Sequence, residues 1–468
     1  MTVMQAPTYR RAEYHGFAAG GSEFVYLVSA GAIFEIDTHV RVVLDRLDGQ
    51  ELTHAALVRE LVAEGSTAEE ADGLVRELRQ ARLIHLGHAM PVAEAPQAPP
   101  ADFPLQALVL NVTNQCNLAC TYCYEFGADK IATPAGKPKY MTLETAMHIT
   151  FFGGETLMNF KLLRDVVAYA NEATNAAGKD ITYSLTTNAT LLTPEIVTFL
   201  SDNRIGVTVS MDGPPELQDK HRVFKNGKGS YAAIEPRLRT LIAHHKTRAI
   251  TARVTLTEGV TDVVRIFRHL KDDLGFHEVG FAPVTTGETR AYSIDADGMD
   301  YVLAQFNLLA DEWLEYALRG ESHGFTNVSE TISELISGVN KSHPCGAGLG
   351  LMGVSPSGDL SPCHRFTDAD THSMGHVSSG IDRVKQGDFL AKGHVQAKYD
   401  CQSCWARPLC AGGCHHEAFV RYGDTGHANL HYCDWIRQWT DTCLRIYGVL
   451  SVRNPGFLER FAERKGLS

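Results

Sequence analysis

The sequence lacks any apolar run that approaches the ~20 residues a helix needs to cross a bilayer. Its first residues, MTVMQAPTYRR, also lack the apolar core of a secretory signal peptide. Basic residues are in deficit, with 43 Lys and Arg against 55 Asp and Glu, so the formal net charge of −12 offers no overall basic surface for nucleic acid. These absences predict a cytoplasmic protein without membrane or nucleic-acid partners.

Cysteine is absent before position 116 and unevenly distributed after it. Three of the eleven cysteines fall within eight residues, and the other eight lie between Cys345 and Cys443. Clustered cysteines in a cytosolic chain bind metal more often than they form disulfides. A length of 468 residues, at roughly 150 per domain, also leads us to expect about three domains.

The part without cysteine predicts a small α+β domain over residues 1–88. Short apolar runs around a glycine turn indicate paired strands at Phe24–Ser29 and Ala32–Asp37. Amphipathic helices are expected at Ala55–Ala63 and Ala68–Arg82.

Residues 89–105 are rich in proline and alanine, a composition typical of a semi-rigid linker. Strand-like runs then alternate with helical patterns, which predicts parallel β/α units. The candidate strands are Ala107–Val112, Thr150–Phe152, Ile181–Thr186, Gly206–Ser210, Arg253–Thr257 and Glu278–Ala282. Because chemistry in such sheets gathers at the carboxyl ends of the strands, the motifs found there are the candidate sites.

A C-x3-C-x2-C motif, formed by Cys116, Cys120 and Cys123, follows the first of these strands in the segment NVTNQCNLACTYCYE. Three thiolates on one loop can hold three irons of a cubane cluster and leave the fourth iron open to another ligand. Zinc sites normally have four protein ligands. A zinc knuckle completed by a distant histidine therefore remains the alternative.

The spacing of these cysteines, with Tyr122 before the third, resembles the signature of the radical S-adenosylmethionine (radical SAM) superfamily. The segment Gly153-Gly154-Glu155 is similar to its GGE motif, in which the strand edge and the carboxylate receive the methionine amino group. The segments SLTTNAT and SMDG, the latter followed by His221-Arg222, resemble its next two strand ends. The resemblance implies that S-adenosyl-L-methionine is bound by Tyr124, Gly153, Gly154, Glu155, Ser184, Asn188 and Arg222.

The same resemblance assigns individual roles. Ser184 and Arg222 would hold the ribose and the carboxylate of the ligand, and Tyr124 would lie near the adenine. Arginine suits a carboxylate because its guanidinium can form two parallel hydrogen bonds. A capping hydroxyl and a surface ion pair are the alternative interpretations for Ser184 and Arg222. Asp212, in the SMDG segment, is a candidate catalytic residue.

One feature departs from the superfamily pattern. Members usually have a full helix before the GGE strand, whereas only Thr142–Ile149 is available here. A β/α unit closes poorly on so few residues. Either the first helix is cut short or the sequence omits a loop near Thr150, and the closure of the barrel is open.

The remaining cysteines form an ordered array. Cys345 is followed by Gly358 and Cys363, then by C-x2-C-x5-C-x3-C from Cys401 to Cys414, and by Cys433. This order matches the SPASM extension of radical SAM peptide maturases. The residues alone allow two four-iron clusters or two zinc ions.

The SPASM resemblance implies an interleaved ligand set. Cys345, Cys363 and Cys414 would hold the first auxiliary cluster, whose remaining ligand is an open position, a substrate thiolate or an unusual residue. The second cluster would be held by Cys401, Cys404, Cys410 and Cys433. Cys443 is left over and is expected to be a small buried apolar residue. His364 stands where some sulfatase-maturing relatives carry a catalytic aspartate, and histidine accepts protons near neutral pH.

Together these resemblances predict an α/β chain with three parts. They are a winged-helix-like α+β peptide-recognition domain over residues 1–88, similar to precursor-peptide recognition elements, a partial parallel (β/α)6 radical SAM barrel over 106–340, and a SPASM domain with C-terminal helices over 341–468. The implied cofactors are S-adenosyl-L-methionine and three 4Fe-4S clusters, one radical SAM and two auxiliary. The implied partners are a Cys-rich small subunit or precursor peptide and an electron donor such as flavodoxin or ferredoxin.

Within the superfamily, NVTNQCNLACTYCYEFGADK, FFGGETLMNF and SMDGPPELQDKHR look most like the family that matures quinohemoprotein amine dehydrogenase. That resemblance implies intrapeptide thioether bonds between Cys sulfur and a methylene carbon of Asp or Glu, formed through a 5′-deoxyadenosyl radical. A formylglycine-type oxidising maturase is the first alternative, and the absence of an aspartate after Cys363 counts against it. A non-enzymatic, metal-binding peptide escort is the second.

Overall fold

The computed structural model describes residues 6–87, 106–131, 136–141, 151–178, 181–287 and 290–465. The linker expected at 89–105 and the short helix expected at Thr142–Ile149 lie outside these residues, so both stay predictions. No helix in the described ranges is long and apolar enough to span a membrane.

The N-terminal segment contains two three-stranded antiparallel sheets and three helices. Its elements are β1 (Thr8–Arg11), β2 (Tyr14–Ala19), β3 (Ser22–Leu27), β4 (Ala32–Ile36), α1 (Thr38–Arg46), β5 (Leu52–Thr53), α2 (His54–Ala63), α3 (Ala68–Gln80) and β6 (Ile84–Leu86). The predicted strand pair and both predicted helices are confirmed. Helix α3 begins at a capping box in which Thr67 and Glu70 satisfy each other's backbone N–H groups. Leu44, Leu57 and Val75 belong to a buried core of this segment's own.

The central segment contains six parallel strands separated mainly by helices. Its elements are β7 (Ala107–Asn111), β8 (Phe151–Phe152), α4 (Phe160–Ala177), β9 (Ser184–Thr187), α5 (Pro194–Asp202), β10 (Gly206–Ser210), α6 (Pro215–His221), α7 (Tyr231–His244), β11 (Ile250–Leu256), α8 (Val263–Arg268) and β12 (Glu278–Pro283). All six predicted strands are present. They form two sheets, β7 with β8 and β9-β10-β11-β12, and no pairing joins β8 to β9 within the described ranges.

Side-chain alternation in these strands decides what faces the site. In β11, Ala252, Val254 and Leu256 are buried, whereas the intervening Arg253 is exposed to the interior of the curved sheet. Because successive side chains of a strand point to opposite faces, the apolar set packs on the helices and the polar set faces inward. The interior of the barrel is therefore lined by hydroxyl and charged groups.

The C-terminal segment is joined to the barrel by backbone hydrogen bonds, since β13 pairs in parallel with β7 and extends its sheet. Its elements are α9 (Ala296–Leu318), α10 (Thr326–Ile336), β13 (Leu351–Val354), β14 (Leu360–Ser361), β15 (Gly375–His376), β16 (Gly380–Ile381), α11 (Arg383–Gly393), α12 (Arg407–Cys410), α13 (His415–Tyr422), α14 (Cys433–Arg453) and α15 (Pro455–Lys465). Cys443 of α14 is fully buried in the main core, which confirms the expectation for the spare cysteine.

The N-terminal segment docks onto the cysteine-rich segment. The His15 ring stacks on Trp405 with centroids 3.7 Å apart, and its Nε2 lies 2.7 Å from Asp441 Oδ1. The Arg407 guanidinium donates to both carboxylate oxygens of Glu13. Strand β2 packs against α14, and β2 and β4 are the two edge strands of their three-stranded sheet among the described residues.

Candidate functional site

A cavity of about 720 Å³ opens at the carboxyl ends of the parallel strands, where sites in such folds are found. Its lining includes Cys116, Cys120, Cys123, Tyr124, Gly153, Gly154, Asn188, Ser210, Arg222, Arg253, His364 and Arg365. Most of the residues predicted outside the C-terminal cysteine array thus meet in one place. Of these, Glu155, Ser184 and Asp212 do not line the cavity, and none of the seven predicted C-terminal cysteine ligands lines it.

The three cysteines of the loop after β7 all face the cavity as free thiols. Burial raises the pKa of Cys116 to about 11 and that of Cys123 to about 12. Burial also raises the pKa of Cys120, and the nearby Arg222 guanidinium opposes that rise. Because metals bind the thiolate, binding of a metal centre here releases protons.

The GGE motif fits closely against the cysteine loop. Gly153 has φ +120°, and a Cβ there would lie 2.6 Å from the Thr113 carbonyl oxygen, so only glycine is accommodated. The Glu155 N–H donates to the Gln115 carbonyl over 3.0 Å. The motif thus fixes the position of the loop that carries the cysteines.

The Glu155 carboxylate is buried behind the cavity wall. It accepts hydrogen bonds from Thr187 Oγ1 (2.6 Å), from the Asn188 N–H (2.7 Å) and from the Leu157 N–H (3.1 Å). These bonds join the ends of β8 and β9. Contact between this carboxylate and a methionine amino group stays a prediction, whereas Gly153 and Gly154 do line the cavity.

Asn188 follows β9 and contacts the cysteine loop directly. Its Nδ2 lies 3.8 Å from Cys116 Sγ and donates to Asn117 Oδ1 over 3.1 Å. Its Oδ1 accepts from the backbone N–H and the hydroxyl of Thr190. Asn188 therefore holds the loop in place from within the cavity wall.

Ser184, which was predicted to bind the ligand, lies away from the main cavity. Ser184 is the first residue of β9, is exposed, and lines a second cavity at the amino ends of the strands with Arg204 and Arg248. The sequence placed the strand at 181–186, but it runs from 184 to 187, so its carboxyl end is Thr187. Thr187, and Ser210 at the end of β10, line the main cavity instead. Ser210 stands in the SMDG segment and was recognisable from it.

Asp212 is not placed to accept a proton from a substrate. Its carboxylate accepts from Arg222 Nε (2.8 Å) and Nη2 (3.1 Å), from the Thr255 N–H (2.9 Å) and from the Tyr122 hydroxyl. Both side chains of the Asp212–Arg222 pair are buried, which also excludes the surface ion pair considered for Arg222. Burial would lower the pKa of Arg222, but Asp212, Tyr122 and Cys120 together outweigh burial and raise it. Asp212 thus positions Arg222, and its predicted catalytic role is corrected.

Replacing Asp212 by Ala is expected to lower the free energy of unfolding by about 3 kcal/mol, because the buried guanidinium loses its carboxylate. Urea denaturation of the anaerobically purified protein measures the change. Asp165→Ala is the matched control, since Asp165 forms an exposed helix pair with Lys161 (2.7 Å) whose loss should cost about 0.5 kcal/mol or less. Equal losses in the two variants would contradict the account.

His364 and Tyr124 form the wall between the cysteine loop and the C-terminal segment. The ring centroids of the two residues are 6.0 Å apart, and the Arg365 guanidinium lies 4.7 Å from the centre of the Tyr124 ring. Burial lowers the pKa of His364 to about 3, and Arg365 contributes to the shift. In these surroundings His364 is neutral at pH 7 and a weak base, so its predicted catalytic role gains no support from its environment.

Sequence reasoning missed five charged residues of the cavity, which are Glu125, Arg253, Glu278, Glu330 and Arg365. Arg253 faces inward from β11, where burial lowers the pKa of its guanidinium and the nearby Glu330 opposes that shift. Glu125, two residues after Cys123, has a pKa that burial and then Asp368 raise to about 8. The signal for Arg253 was a charged residue at the inward position of an otherwise buried strand.

The C-terminal cysteines fall into two groups in space. Burial and then the nearby Cys414 raise the pKa of Cys363, and Cys414 also adds to the raised pKa of the buried Cys345, so we call these three residues cysteine group one. Burial raises the pKa values of Cys401, Cys410 and Cys433, and the neighbouring Cys404 adds to all three shifts, so we call these four residues cysteine group two. These are the sets that the SPASM resemblance implied.

Comparisons with known proteins agree with this geometry. Residues 110–270 match the family model described as the radical SAM superfamily. The chain is 24% identical over 335 residues to the cysteine-type anaerobic sulfatase-maturating enzyme of Clostridium novyi (strain NT), covering 66% of this chain and 87% of the relative. It is 25% identical over 368 residues to the serine-type enzyme of Bacteroides thetaiotaomicron, covering 70% of this chain and 86% of the relative.

Solved structures share the fold. The structure described as native anSMEcpe with bound AdoMet matches with a TM-score of 0.63 and 19% identity, covering 75% of this chain and 100% of the other. Residues 110–270 therefore match the radical SAM superfamily, within an α/β chain that shares its fold with this solved structure.

Proposed function

We propose that this chain is a radical SAM enzyme that forms intrapeptide thioether cross-links in a ribosomally made peptide or small subunit. The bonds would join a Cys sulfur to a methylene carbon of Asp or Glu. The observation that carries the proposal is the position of the cavity. The Cys116–Cys123 loop lines one wall, and His364 and Arg365, which directly follow Cys363 of cysteine group one, line another.

The donor set supports iron–sulfur clusters over zinc. Within the described part of the chain, no three His, Cys, Asp or Glu side chains converge closely enough to hold a single metal ion. A four-iron cluster does not need such convergence, because each thiolate binds a different iron. Cys116, Cys120 and Cys123 would hold the radical SAM cluster, and cysteine groups one and two would hold the auxiliary clusters.

The radical SAM cluster, with S-adenosylmethionine bound beside it, would supply one-electron cleavage of the sulfonium. The product is a carbon radical that can take hydrogen from an unactivated methylene. The chain orients these groups. Gly153 and Gly154 leave room beside the loop. Ser210 and Thr187 present hydroxyl groups to the cavity. Arg222 presents the N–H groups that are not bonded to Asp212. Tyr124 and His364 restrict access from the C-terminal side.

The electron balance of thioether formation indicates a role for the C-terminal cysteines. Forming a C–S bond from a thiol and a methylene removes two electrons and two protons from the substrate. One electron leaves with the abstracted hydrogen atom, and the other needs an acceptor. An iron–sulfur centre held by cysteine group two is the acceptor we propose.

The position of Arg253 favours a substrate that carries an acidic side chain. Its guanidinium, flanked by Thr251 and Thr255 and near the Glu330 carboxylate, could bind an Asp or Glu carboxylate in two parallel hydrogen bonds. We expect Arg253→Leu to weaken binding of a cross-linkable Asp peptide about 10- to 100-fold. Fluorescence anisotropy of the labelled peptide measures this, with Arg253→Lys as the charge-retaining control. An equal loss with the matching Asn peptide would contradict a carboxylate contact.

The structure of the N-terminal segment favours a peptide as the substrate. The edge strand β4 could pair with an extended leader peptide, a recognised route to peptide affinity. Docking through His15 and Glu13 would hold that peptide next to the cysteine-rich segment. A flavodoxin or ferredoxin is the proposed electron donor.

A formylglycine-type maturase is the second candidate, because several of the similar proteins are anaerobic sulfatase-maturating enzymes. The two differ in product. Cross-linking removes two hydrogens and blocks alkylation of the thiol, whereas oxidation to formylglycine leaves an aldehyde that hydrazine reagents capture. Those matches also leave roughly a third of this chain uncovered.

The deciding experiment is anaerobic coexpression with the small Cys-containing reading frames next to its gene, followed by fragmentation mass spectrometry. We expect a peptide that is lighter by two hydrogens and carries a Cys to Asp or Glu link. An aldehyde product would support the second candidate. Unmodified peptide bound to a zinc-loaded chain would instead indicate a metal-binding escort.

A further inference from the structure

The N-terminus of α10 opens onto the main cavity. Thr326, the first residue of this 11-residue helix, lines the cavity, and no side chain among the described residues caps the helix at this end. The first backbone N–H groups of a helix have no partner within it and carry a partial positive charge, which favours an anionic group nearby. A helix end alone selects no ligand, so the side chains around it decide what binds there.

Strand β12 holds this helix end in a fixed position. The Phe281 N–H donates to Asn327 Oδ1 over 3.0 Å, and Asn327 Nδ2 donates to the Phe281 carbonyl oxygen over 3.0 Å. The Val279 N–H donates to the Gly324 carbonyl oxygen over 2.9 Å. The Asn327 side chain thus takes the place of a neighbouring strand and fixes the first turn of α10 against β12. A site at this position is preorganised, so a ligand needs to order little of the protein.

The Thr326 hydroxyl lies over Gly280, where β12 has no side chain. Thr326 is 8% exposed, and the described residues provide no hydrogen-bond partner for its hydroxyl. A Cβ at Gly280 would lie 2.6 Å from Thr326 Oγ1 and 3.5 Å from Arg253 Nη1, so two donors surround the same small space on the cavity wall. A buried hydroxyl without a partner costs free energy, and an acceptor bound in this space would remove that cost.

The charges on this wall restrict where an anion can bind. Glu278 of β12 and Glu330, one turn beyond Thr326 on α10, also line the cavity, and each of them repels a carboxylate. Arg253 and the helix end are the positive groups of the same wall. Because the space over Gly280 adjoins both of these positive groups, an acidic side chain fits there better than elsewhere on the wall.

We propose that Thr326 and the N-terminus of α10 complete a carboxylate subsite with Arg253, which holds the Asp or Glu side chain whose methylene is cross-linked. The inference rests on the proposed function and adds the hydroxyl and helix-end donors that recognise the acidic side chain together with the guanidinium. Gly280 keeps the subsite open, because any side chain at this position would collide with Thr326 Oγ1.

Thr326→Val, which keeps the shape and removes the hydroxyl, tests the subsite in the full chain reconstituted with iron and sulfide, with S-adenosylmethionine and without reductant. The probe is a fluorescently labelled peptide of the Cys-containing reading frame next to the gene, made with Asp or with Asn at the cross-linked position. Fluorescence anisotropy is expected to show about tenfold weaker binding of the Asp peptide and a smaller loss for the Asn peptide. Thr326→Ala should reproduce this loss, and Thr326→Ser should retain the wild-type preference for Asp.

Thr331→Val is the matched control, since Thr331 lies on the same helix outside the cavity and its hydroxyl donates to the Asn327 carbonyl oxygen over 3.0 Å. It should leave the affinity for both peptides unchanged. No loss in Thr326→Val, or equal losses for the Asp and Asn peptides, would overturn the inference.

Weaker binding of S-adenosylmethionine to Thr326→Val, with unchanged binding of the peptide, would also overturn the inference, because the subsite would then hold the carboxylate of the cofactor. Equilibrium dialysis with labelled S-adenosylmethionine measures this. Failure of the proposed function has a different signature. The wild-type chain would still prefer the Asp peptide, and Thr326→Val would still weaken that preference, but the coexpressed peptide would carry no cross-link.

Discussion

Replacing Cys120 by Ala is expected to abolish cleavage of S-adenosylmethionine, with a fall on the order of 100-fold or more in deoxyadenosine release. The thiol faces the cavity beside Arg222, and among the described residues the cavity is lined by no cysteine outside this loop that could replace it. Iron content should fall by about four atoms per chain. Chromatography of dithionite-reduced, anaerobic reactions measures the nucleoside.

Cys443→Ala is the matched control for this prediction. Cys443 lies on α14, is fully buried in the main core and does not line the cavity. Iron content and deoxyadenosine release should therefore remain near wild type. A Cys120→Ala protein that still released deoxyadenosine at the control rate would contradict the assignment of the loop.

Replacing Cys401 by Ala is expected to separate the two halves of the reaction. The radical SAM loop is unchanged, so deoxyadenosine should still form, whereas cross-linked peptide should fall about tenfold or more because the second electron loses its acceptor. Iron should again decrease by about four atoms per chain. Quantitative mass spectrometry of the peptide, run beside the deoxyadenosine assay, measures both.

The Cys443→Ala protein serves as the control here as well, with both products retained. Normal cross-linking by a Cys401→Ala protein without its second auxiliary cluster would show that cysteine group two is not the acceptor. Retention of a full iron complement would show that Cys401 is not a ligand.

The strands of the central segment could be predicted from the sequence because each of them is a short apolar run. The boundaries were less certain. Strand β9 begins three residues later than expected, since Ile181 and Tyr183 are apolar but precede the first backbone pairing, that of Ser184 with Gly206. Its carboxyl end moved by only one residue, to Thr187, and Ser184 is the first residue of the strand, at the end away from the main cavity.

The pairing of side chains that are far apart along the chain could not be predicted from the sequence. Asp212 and Arg222 are both plausible site residues on motif grounds, yet their mutual hydrogen bonds make one the support of the other. The low basicity of His364 likewise follows from burial, which no local pattern reveals. Arg253 was overlooked because it stands within a strand rather than in a motif.

The spatial grouping of the C-terminal cysteines was accessible only through the family resemblance. Cys414 follows Cys410 after Ala411-Gly412-Gly413, and yet it belongs to the other group. The two consecutive glycines, both with positive φ, turn the chain so that neighbouring cysteines face different sites. Spacing alone favours a single site for such close residues.

The central claim is that this chain is a radical SAM enzyme with three iron–sulfur clusters. The most direct test is to reconstitute the wild-type protein anaerobically, count its metals, and add S-adenosylmethionine with a reductant. The account predicts about twelve irons per chain and release of deoxyadenosine. Bound zinc in place of iron, with no deoxyadenosine formed, would contradict it.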